Sequence, residues 1–239
     1  MEGKLGAMAL CLITCETRDA AAEVVAEIAA KALQADLSAQ GRASLFVSGG
    51  STPKPAFEQL SRAALDWAGV TVGLVDERWV PPGHAESNER LVRTHLLTGR
   101  AGAAGFVPMW TFDADVEAAA AERDLAYRPH CTAASFVLLG MGTDGHTASW
   151  FPDMSSLGTV ISPPEDKCVI AVEAKAATTP LRLTLTGPAI MNAKRAALLV
   201  FGTRKRDVLE AAMRSDPLKC PVRFALDGLK DKLSIVWAE

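Results

Sequence analysis

The sequence predicts an α/β fold with three layers (αβα), in which helices cover both faces of a mostly parallel β-sheet. Short apolar runs of strand length alternate with longer segments of helical periodicity, and this alternation is typical of parallel strands joined by crossover helices. No repeat or low-complexity linker interrupts the alternation. We therefore expect residues 1–239 to form a single domain.

The periodicity of apolar residues predicts the elements in order, since apolar runs indicate strands and helical spacing indicates helices. Strands are predicted at 7–14, 44–47, 70–75, 135–139, 168–172, 196–201 and 233–237. Helices are predicted at 19–37, 53–64, 87–97, 116–127 and 205–213. The glycine-rich segment 99–105 and the proline-rich turn 162–164 are expected to be surface connections.

A further strand is predicted at 181–186, which reads Leu-Arg-Leu-Thr-Leu-Thr. Its strict alternation places three leucines on one face and Arg182 with two threonines on the other. One face of this strand is therefore polar.

The composition excludes several classes of protein. The chain is 49% hydrophobic and 22% charged, which does not fit a disordered chain, collagen or a coiled coil. The net charge of -3 provides no overall positive field, so a nucleic-acid partner is not expected. No apolar stretch approaches the ~18–20 residues of a membrane span, and the first residues lack the apolar core of a signal peptide. We expect a cytoplasmic protein without a membrane partner.

The cysteines indicate reduced thiols. There are five of them, at Cys11, Cys15, Cys131, Cys168 and Cys220, and no spacing among them is typical of a zinc site. Cys11 and Cys15 fall inside an apolar strand pattern, so buried free thiols are expected. Such thiols fit the cytosol.

Loops that follow the carboxyl ends of parallel strands form the usual ligand crevice of α/β folds. The first unusual loop is Ser48-Gly49-Gly50-Ser51-Thr52-Pro53. Two glycines let the backbone approach a ligand, and the amides with the start of the next helix form an anion site. A tight turn with Thr52 as helix N-cap explains the same residues.

The second loop contains Asp76, Glu77 and Arg78 directly after an apolar strand. Three consecutive charges are costly to bury without a purpose. They indicate either a ligand site or a salt-bridged strand end.

The third loop, residues 140–148, has three glycines around Asp144 and His146. A carboxylate two positions away can orient an imidazole, which titrates near neutrality and can act as a general base. Of the four histidines, this one is the best candidate, although a lone histidine is more often structural. No Gly-x-Gly-x-x-Gly opens the first helix, and no P-loop motif is present. The Gly-x-Ser-x-Gly motif is also absent, so a water activated by His146 is favoured over a serine nucleophile.

A fourth feature places Arg204, Lys205 and Arg206 at the start of a predicted helix. Cations there oppose the helix dipole unless an anion lies between them, so Lys205 is a candidate anion ligand, and Arg182 can add a guanidinium. Solvated side chains are the alternative.

These motifs resemble the 6-phosphogluconolactonase family, within the superfamily that also contains glucosamine-6-phosphate deaminases. The matching segments occur in the family's order and extend over residues 45–209; they are 48–53, 76–78 with 80–81, 87–88, 140–149, 182–186, and Gly202 with Lys205. The segment 220–239 departs from the family, because it carries little of the Trp-Phe-Leu-Asp pattern of many members. A helix N-cap also explains Ser87 and Asn88.

The resemblance implies a Rossmann-like fold of the NagB/RpiA/CoA transferase-like type, and hydrolysis of 6-phospho-D-glucono-1,5-lactone to 6-phosphogluconate in the oxidative pentose phosphate pathway. On this basis we hypothesise that His146 takes a proton from water and that Asp144 orients or polarises the imidazole. Arg78 is expected either to stabilise negative charge on the carbonyl oxygen or to orient the lactone. The residues expected to bind the substrate and its phosphate are Ser48, Gly49, Gly50, Ser51, Asp76, Arg182 and Lys205. No metal or cofactor is expected. The expected partner is a small phosphosugar lactone, and the expected assembly is a monomer or small homo-oligomer.

Two alternatives remain, a deaminase and a non-catalytic sugar-phosphate sensor. Deaminases of the superfamily end the Asp-Gly-His loop with Asn-Glu-Pro, whereas this chain has Trp150, Phe151 and Pro152 there. Phe151 cannot do the acid/base work of that glutamate. Deaminases also have a tyrosine in place of Arg78, so both differences favour hydrolysis.

Overall fold

The computed structural model describes residues 2–5, 10–113, 115–152, 154–163, 166–175 and 177–239. Its strands are β1 (Glu2–Leu5), β2 (Leu10–Thr14), β3 (Ala43–Val47), β4 (Val70–Leu74), β5 (Asp76–Arg78), β6 (Gly105–Val107), β7 (Phe136–Leu139), β8 (Val169–Glu173), β9 (Leu181–Leu185), β10 (Ala196–Phe201) and β11 (Leu233–Ala238). Its helices are α1 (Arg18–Gln40), α2 (Lys54–Leu60), α3 (Asn88–His95), α4 (Val116–Cys131), α5 (Leu157–Ile161), α6 (Gly187–Met191), α7 (Thr203–Ala212) and α8 (Val222–Leu229).

The central sheet has eight strands in the order β1-β2-β11-β10-β7-β3-β4-β6. Every pair in it is parallel except β1 with β2. Strands β3 and β7 are buried along their whole length, as expected where helices cover both faces of a parallel sheet. The three-layer αβα fold is confirmed.

A second, three-stranded antiparallel sheet has the order β5-β9-β8. Val75 joins the two sheets, because its amide donates to Val47 and its carbonyl accepts from Leu185. The register then pairs Arg78 with Arg182. This small sheet therefore places two arginines beside the end of the central one.

Most of the predicted elements are confirmed, and six further elements were not predicted. These are β1, β5, β6, α5, α6 and α8. β5, β6, α5 and α6 have three to five residues each, which is too short for a period to be recognised. α8 does carry apolar residues at helical spacing, with Val222, Ala225, Leu226 and Leu229 buried.

Four predicted segments need correction or qualification. Segment 99–105 is not an irregular loop, since a 3₁₀ helix spans Gly99–Ala103 and β6 begins at Gly105. Asp76, Glu77 and Arg78 form strand β5 rather than a loop, because β9 provides a partner for their backbone. Residues 7–9 of the first predicted strand and Pro164 of the predicted turn lie outside the described residues.

All five cysteines lie among the described residues, and none of them forms a disulfide. Cys131 and Cys220 are buried, but Cys11 and Cys15 are half-buried, so the expectation of burial was wrong for these two. They lie on and just after β2, close to the edge of the sheet, where less of the protein covers them. None of the described helices is long and apolar enough to cross a membrane.

Candidate active site

The carboxyl ends of β3, β4, β7 and β10 meet at one edge of the central sheet, since these strands are parallel. A cleft of about 260 Å³ opens there, at the usual ligand position of such folds. Nine of the ten predicted site residues line it: Ser48, Gly49, Gly50, Ser51, Asp76, Arg78, His146, Arg182 and Lys205. The tenth, Asp144, contacts the cleft through His146.

One wall of the cleft is the His146 loop, residues 140–148. Asp144 Oδ1 lies 2.6 Å from His146 Nδ1 and accepts the His146 backbone amide at 3.2 Å. Burial raises the pKa of the Asp144 carboxyl, but hydrogen bonds from His146 and its charge outweigh burial, so the pKa lies below its ordinary value. A carboxylate at Nδ1 selects the tautomer with hydrogen on Nδ1, which leaves Nε2 as the basic nitrogen.

A glycine allows His146 to approach its own loop. A Cβ at Gly142 would overlap both His146 Nδ1 and Asp144 Oδ1. The Gly142 amide also donates to the His146 carbonyl at 2.9 Å, and Thr147 Oγ1 donates to the Gly140 carbonyl at 2.8 Å. The loop is therefore closed around the imidazole.

Arg78 also lines the cleft. Its Nη1 donates to the Glu86 carbonyl at 2.6 Å and to Asn88 Oδ1 at 2.9 Å. Its Nε is buried and has no hydrogen-bond partner among the described residues. The guanidinium is thus held at one nitrogen beside the cleft.

Asn88 lines the cleft and was not among the predicted site residues. Its Nδ2 donates to the Asp76 carbonyl at 2.8 Å, and a Cβ at Gly49 would overlap its side chain. Ser87 is the helix cap, since its hydroxyl accepts the Arg90 amide at 3.2 Å. The cap explanation therefore holds for Ser87, whereas the Asn88 side chain joins Arg78 to the glycine loop. In the sequence, the three adjacent charges at 76–78 indicate that polar partners such as Asn88 are required.

Glu77 is 1% exposed and binds the backbone of Arg78 and of α3. Its Oε1 accepts the amides of Arg78 and Asn88, both at 2.8 Å, and its Oε2 accepts the Glu89 amide at 2.8 Å. Burial outweighs these hydrogen bonds and raises the pKa of Glu77 to about 7. Hydrogen bonds to backbone amides, rather than the salt bridge considered from sequence, therefore hold this carboxyl.

Two cations complete the cleft. Arg182 is 8% exposed, and its Nη1 lies 3.6 Å from Asp76 Oδ2. Burial lowers the pKa of Arg182, although the charge of Asp76 opposes this. Burial also lowers the pKa of Lys205, and no described carboxylate pairs with that ammonium.

The cations flanking Lys205 do not line the cleft. Arg206 pairs instead with Glu210 at 3.0 Å and lies over the ring of Trp237. Arg204 is exposed. Of the three cations considered from sequence, Lys205 is therefore the one that the described cleft contains.

The glycine loop at 48–53 joins β3 to α2. Ser48 Oγ donates to the Leu138 carbonyl at 2.9 Å and accepts the Gly140 amide at 3.2 Å, so this hydroxyl ties two loops together. The N-cap of α2 is Pro53, without a side-chain cap bond. Thr52 is therefore not the cap, and it lines the cleft instead.

Phe151 packs against two side chains of the cleft. Its ring stacks on His146 with centroids 4.2 Å apart, and the Arg182 Cζ lies 5.1 Å from its centroid. Phe151 is 7% exposed. This ring therefore contacts two residues that line the cleft, His146 and Arg182.

The cleft suits an anionic ligand. The described residues that line it include Arg78, Arg182 and Lys205, against one carboxylate, Asp76. A surplus of cations in a concave site concentrates anions. The described residues contain no group of three or more histidine, cysteine or carboxylate side chains placed to hold a metal ion. The arrangement thus combines a cationic cleft with an imidazole held by a carboxylate.

Comparison with known proteins identifies relatives that match most of this chain. Residues 16–237 match the family model described as glucosamine-6-phosphate isomerases/6-phosphogluconolactonase. A 6-phosphogluconolactonase of Rhizobium meliloti is 43% identical over 93% of this chain and 96% of its own length. One from Pseudomonas aeruginosa is 39% identical over 90% of this chain and 88% of its own.

Solved structures agree. A 6-phosphogluconolactonase from Shewanella baltica superposes with a TM-score of 0.92 at 34% identity, covering 99% of this chain and 100% of that one. A monomeric glucosamine-6-phosphate deaminase superposes with a TM-score of 0.75 at 17% identity, covering 95% and 97%. The fold is thus shared by both named activities, and the site residues must distinguish them.

Proposed function

The chain belongs to the family of glucosamine-6-phosphate isomerases and 6-phosphogluconolactonases, and from this premise we propose that it hydrolyses 6-phospho-D-glucono-1,5-lactone to 6-phospho-D-gluconate, in the oxidative pentose phosphate pathway. One observation carries the proposal. A single cleft holds an imidazole oriented by a carboxylate, His146 with Asp144, and a lysine without a described carboxylate partner, Lys205.

The phosphate end of the substrate binds at the cationic side of the cleft. Lys205 and Arg182 supply charge, and the backbone around Gly49, Gly50 and Ser51 supplies amide donors. Both cations have a pKa lowered by burial, so a bound phosphate relieves the cost of their desolvation. Holding this end positions the ring for attack.

The hydrolysis step uses His146, Asp144 and Arg78. Nε2 of His146 takes a proton from water while the water oxygen attacks C1, and Asp144 holds the Nδ1 hydrogen. Arg78 stabilises the negative charge that develops on the carbonyl oxygen. When the C1–ring-oxygen bond breaks, the imidazolium returns the proton to the departing oxygen. Water is thus added across the ester without a cofactor.

The residue types favour hydrolysis over deamination. Phe151 occupies the position of the glutamate that the superfamily's deaminases use, and it presents an apolar ring to His146. Arg78 stands where those deaminases have a tyrosine. A cation suits an oxyanion, so both differences support the lactonase.

The experiment is the hydrolysis rate of freshly generated 6-phosphogluconolactone, corrected for spontaneous opening and repeated with His146→Ala. We expect a large acceleration that depends on His146. A rate equal to background would refute the proposal. Ammonia release from glucosamine 6-phosphate would then indicate a deaminase, and tight binding of 6-phosphogluconate without turnover would indicate a sensor.

The proposal includes a cytoplasmic location and a small-molecule partner. The net charge of -3 and the reduced cysteines support it. A monomer or small homo-oligomer remains the prediction from sequence, and sedimentation analysis tests it.

A further inference from the structure

The backbone position of Phe151 is fixed by contacts of Trp150 and Met154. The Trp150 indole donates to the Leu185 carbonyl at 2.9 Å, which fixes the preceding residue on β9. The Phe151 amide donates to Met154 Sδ at 3.4 Å, and its carbonyl accepts the Met154 amide at 3.2 Å. The backbone that carries the ring is therefore tied to the small sheet.

The ring limits how His146 can turn. The hydrogen bond from Nδ1 to Asp144 fixes one edge of the imidazole, but a single hydrogen bond acts as a pivot. Phe151 lies against the face of the imidazole, with the two planes 28° apart. Edge and face together fix the direction of Nε2.

The same ring supports Arg182 where its other contacts are weak. The 3.6 Å separation from Asp76 exceeds hydrogen-bond distance, and Nε donates to the Thr179 carbonyl at 3.1 Å. The guanidinium carbon lies 5.1 Å from the Phe151 centroid, within cation–π range. The ring therefore supplies a second support for this cation.

We propose that Phe151 is a positioning residue that couples the base to the phosphate clamp. One ring contacts both His146 and Arg182, so it sets where C1 of a clamped phosphosugar lies relative to Nε2. This inference rests on the proposed lactonase activity. The role requires an aromatic ring, because an aliphatic side chain cannot stack on His146 and Arg182 together.

The test compares Phe151→Leu and Phe151→Tyr with the wild type. Leucine removes the ring, and tyrosine keeps it. Phe106→Leu is the matched control, because Phe106 also lies under an arginine, Arg93 at 4.7 Å, on the edge strand β6. If Phe151→Leu does not fold, Phe151→Met replaces it.

With the phosphorylated lactone, we expect Phe151→Leu to lower kcat and raise KM, each by about three- to tenfold, as the loss of a stacked aromatic and a cation–π contact implies. With unphosphorylated gluconolactone, kcat should fall and KM should stay, since no phosphate engages Arg182. Phe151→Tyr should keep kcat and KM near the wild-type values. Phe106→Leu should leave both unchanged.

The proposal is overturned if a folded Phe151→Leu keeps kcat and KM within twofold of the wild type. It is also overturned if Phe106→Leu causes the same losses. A readout independent of turnover is the NMR resonance of the His146 Cε1 proton, which a stacked ring shifts. If the wild type lacks lactonase activity, the proposed function fails. The coupling is then tested by this resonance and by the affinity for 6-phosphogluconate. Phe151→Leu should change both, and the coupling is refuted if it changes neither.

Discussion

The Asp144–His146 pair is held by contacts between near neighbours in the sequence, although its loop is also bound to Ser48 and to Val222. The Arg78 network (Asp76, Glu77, Arg78 and Asn88) is held mainly by contacts between separate segments. In the loop, Asp144 and His146 are two residues apart, and Thr147 reaches back seven residues to Gly140. In the network, Glu77 binds α3 from β5, and Asp76 accepts the Ser149 hydroxyl across 73 residues.

This difference teaches where damage should appear. A change in the His146 loop disturbs one short turn, so turnover should suffer while the fold stays intact. A change in the Arg78 network removes bonds that join β5, α3 and β9. There, stability should suffer along with the site. Four substitutions test the contrast.

The largest effect is expected for His146→Ala. Loss of the general base should lower kcat by about 10²–10⁴-fold, because the carboxylate that lines the cleft, Asp76, already accepts the Ser149 hydroxyl and lies beside Arg182. Affinity for 6-phosphogluconate and the free energy of unfolding should stay near wild type. Calorimetric titration and urea unfolding check both. A kcat close to that of the wild type would remove His146 from the mechanism.

Gly142→Ala should come next. The added Cβ would overlap His146 Nδ1, so the imidazole must move, and a misplacement of about 1 Å costs on the order of 10²-fold in rate. Gly83→Ala is the control, because nothing lies within 4 Å of its Cβ position. Equal kcat values for both variants would show that the close approach at Gly142 is unimportant.

Lys205→Ala should act on binding. Losing a charged hydrogen bond to phosphate costs about 1.5–3 kcal/mol, so affinity for 6-phosphogluconate should fall about tenfold to a hundredfold. Arg204→Ala removes an adjacent exposed cation that does not line the cleft, and it should leave affinity unchanged. If the two variants weaken binding equally, only general electrostatics is involved.

Glu77→Gln should affect turnover least and the pH dependence of stability most. Burial raises the pKa of Glu77 from 4.5 to about 7, so its stabilising contribution is complete below pH 4.5 and is lost as the pH rises through 7. This difference corresponds to about 3 kcal/mol. Glutamine does not titrate, and its amide faces backbone donors at a cost of about 1–3 kcal/mol.

Urea unfolding at about pH 5 and about pH 8 measures this effect. Wild type should be more stable than Glu77→Gln at the lower pH, and the gap should close at the higher pH. A gap that is constant with pH would show that Glu77 does not titrate in this range.

The same contrast explains what the sequence could predict. The His146 loop lies within one motif, so its glycines, carboxylate and histidine were visible together. The partners of Arg78 were not, because β5 has three charged residues without a strand period and pairs with a strand more than 100 residues away. Asn88 looked like part of a helix cap until the position of α3 against Gly49 was known. Local chemistry could be predicted, whereas contacts made by topology could not.

The strand order also has a consequence for synthesis of the chain. β2 pairs through its inner edge with β11, the last strand, and β10 lies between β11 and β7. At about 5–20 residues per second on the ribosome, β2 waits on the order of tens of seconds for its neighbour. During that time its inner edge has unpaired backbone groups, which invite pairing with other chains. Strand β2 is therefore exposed to pairing with other chains until β11 has been made.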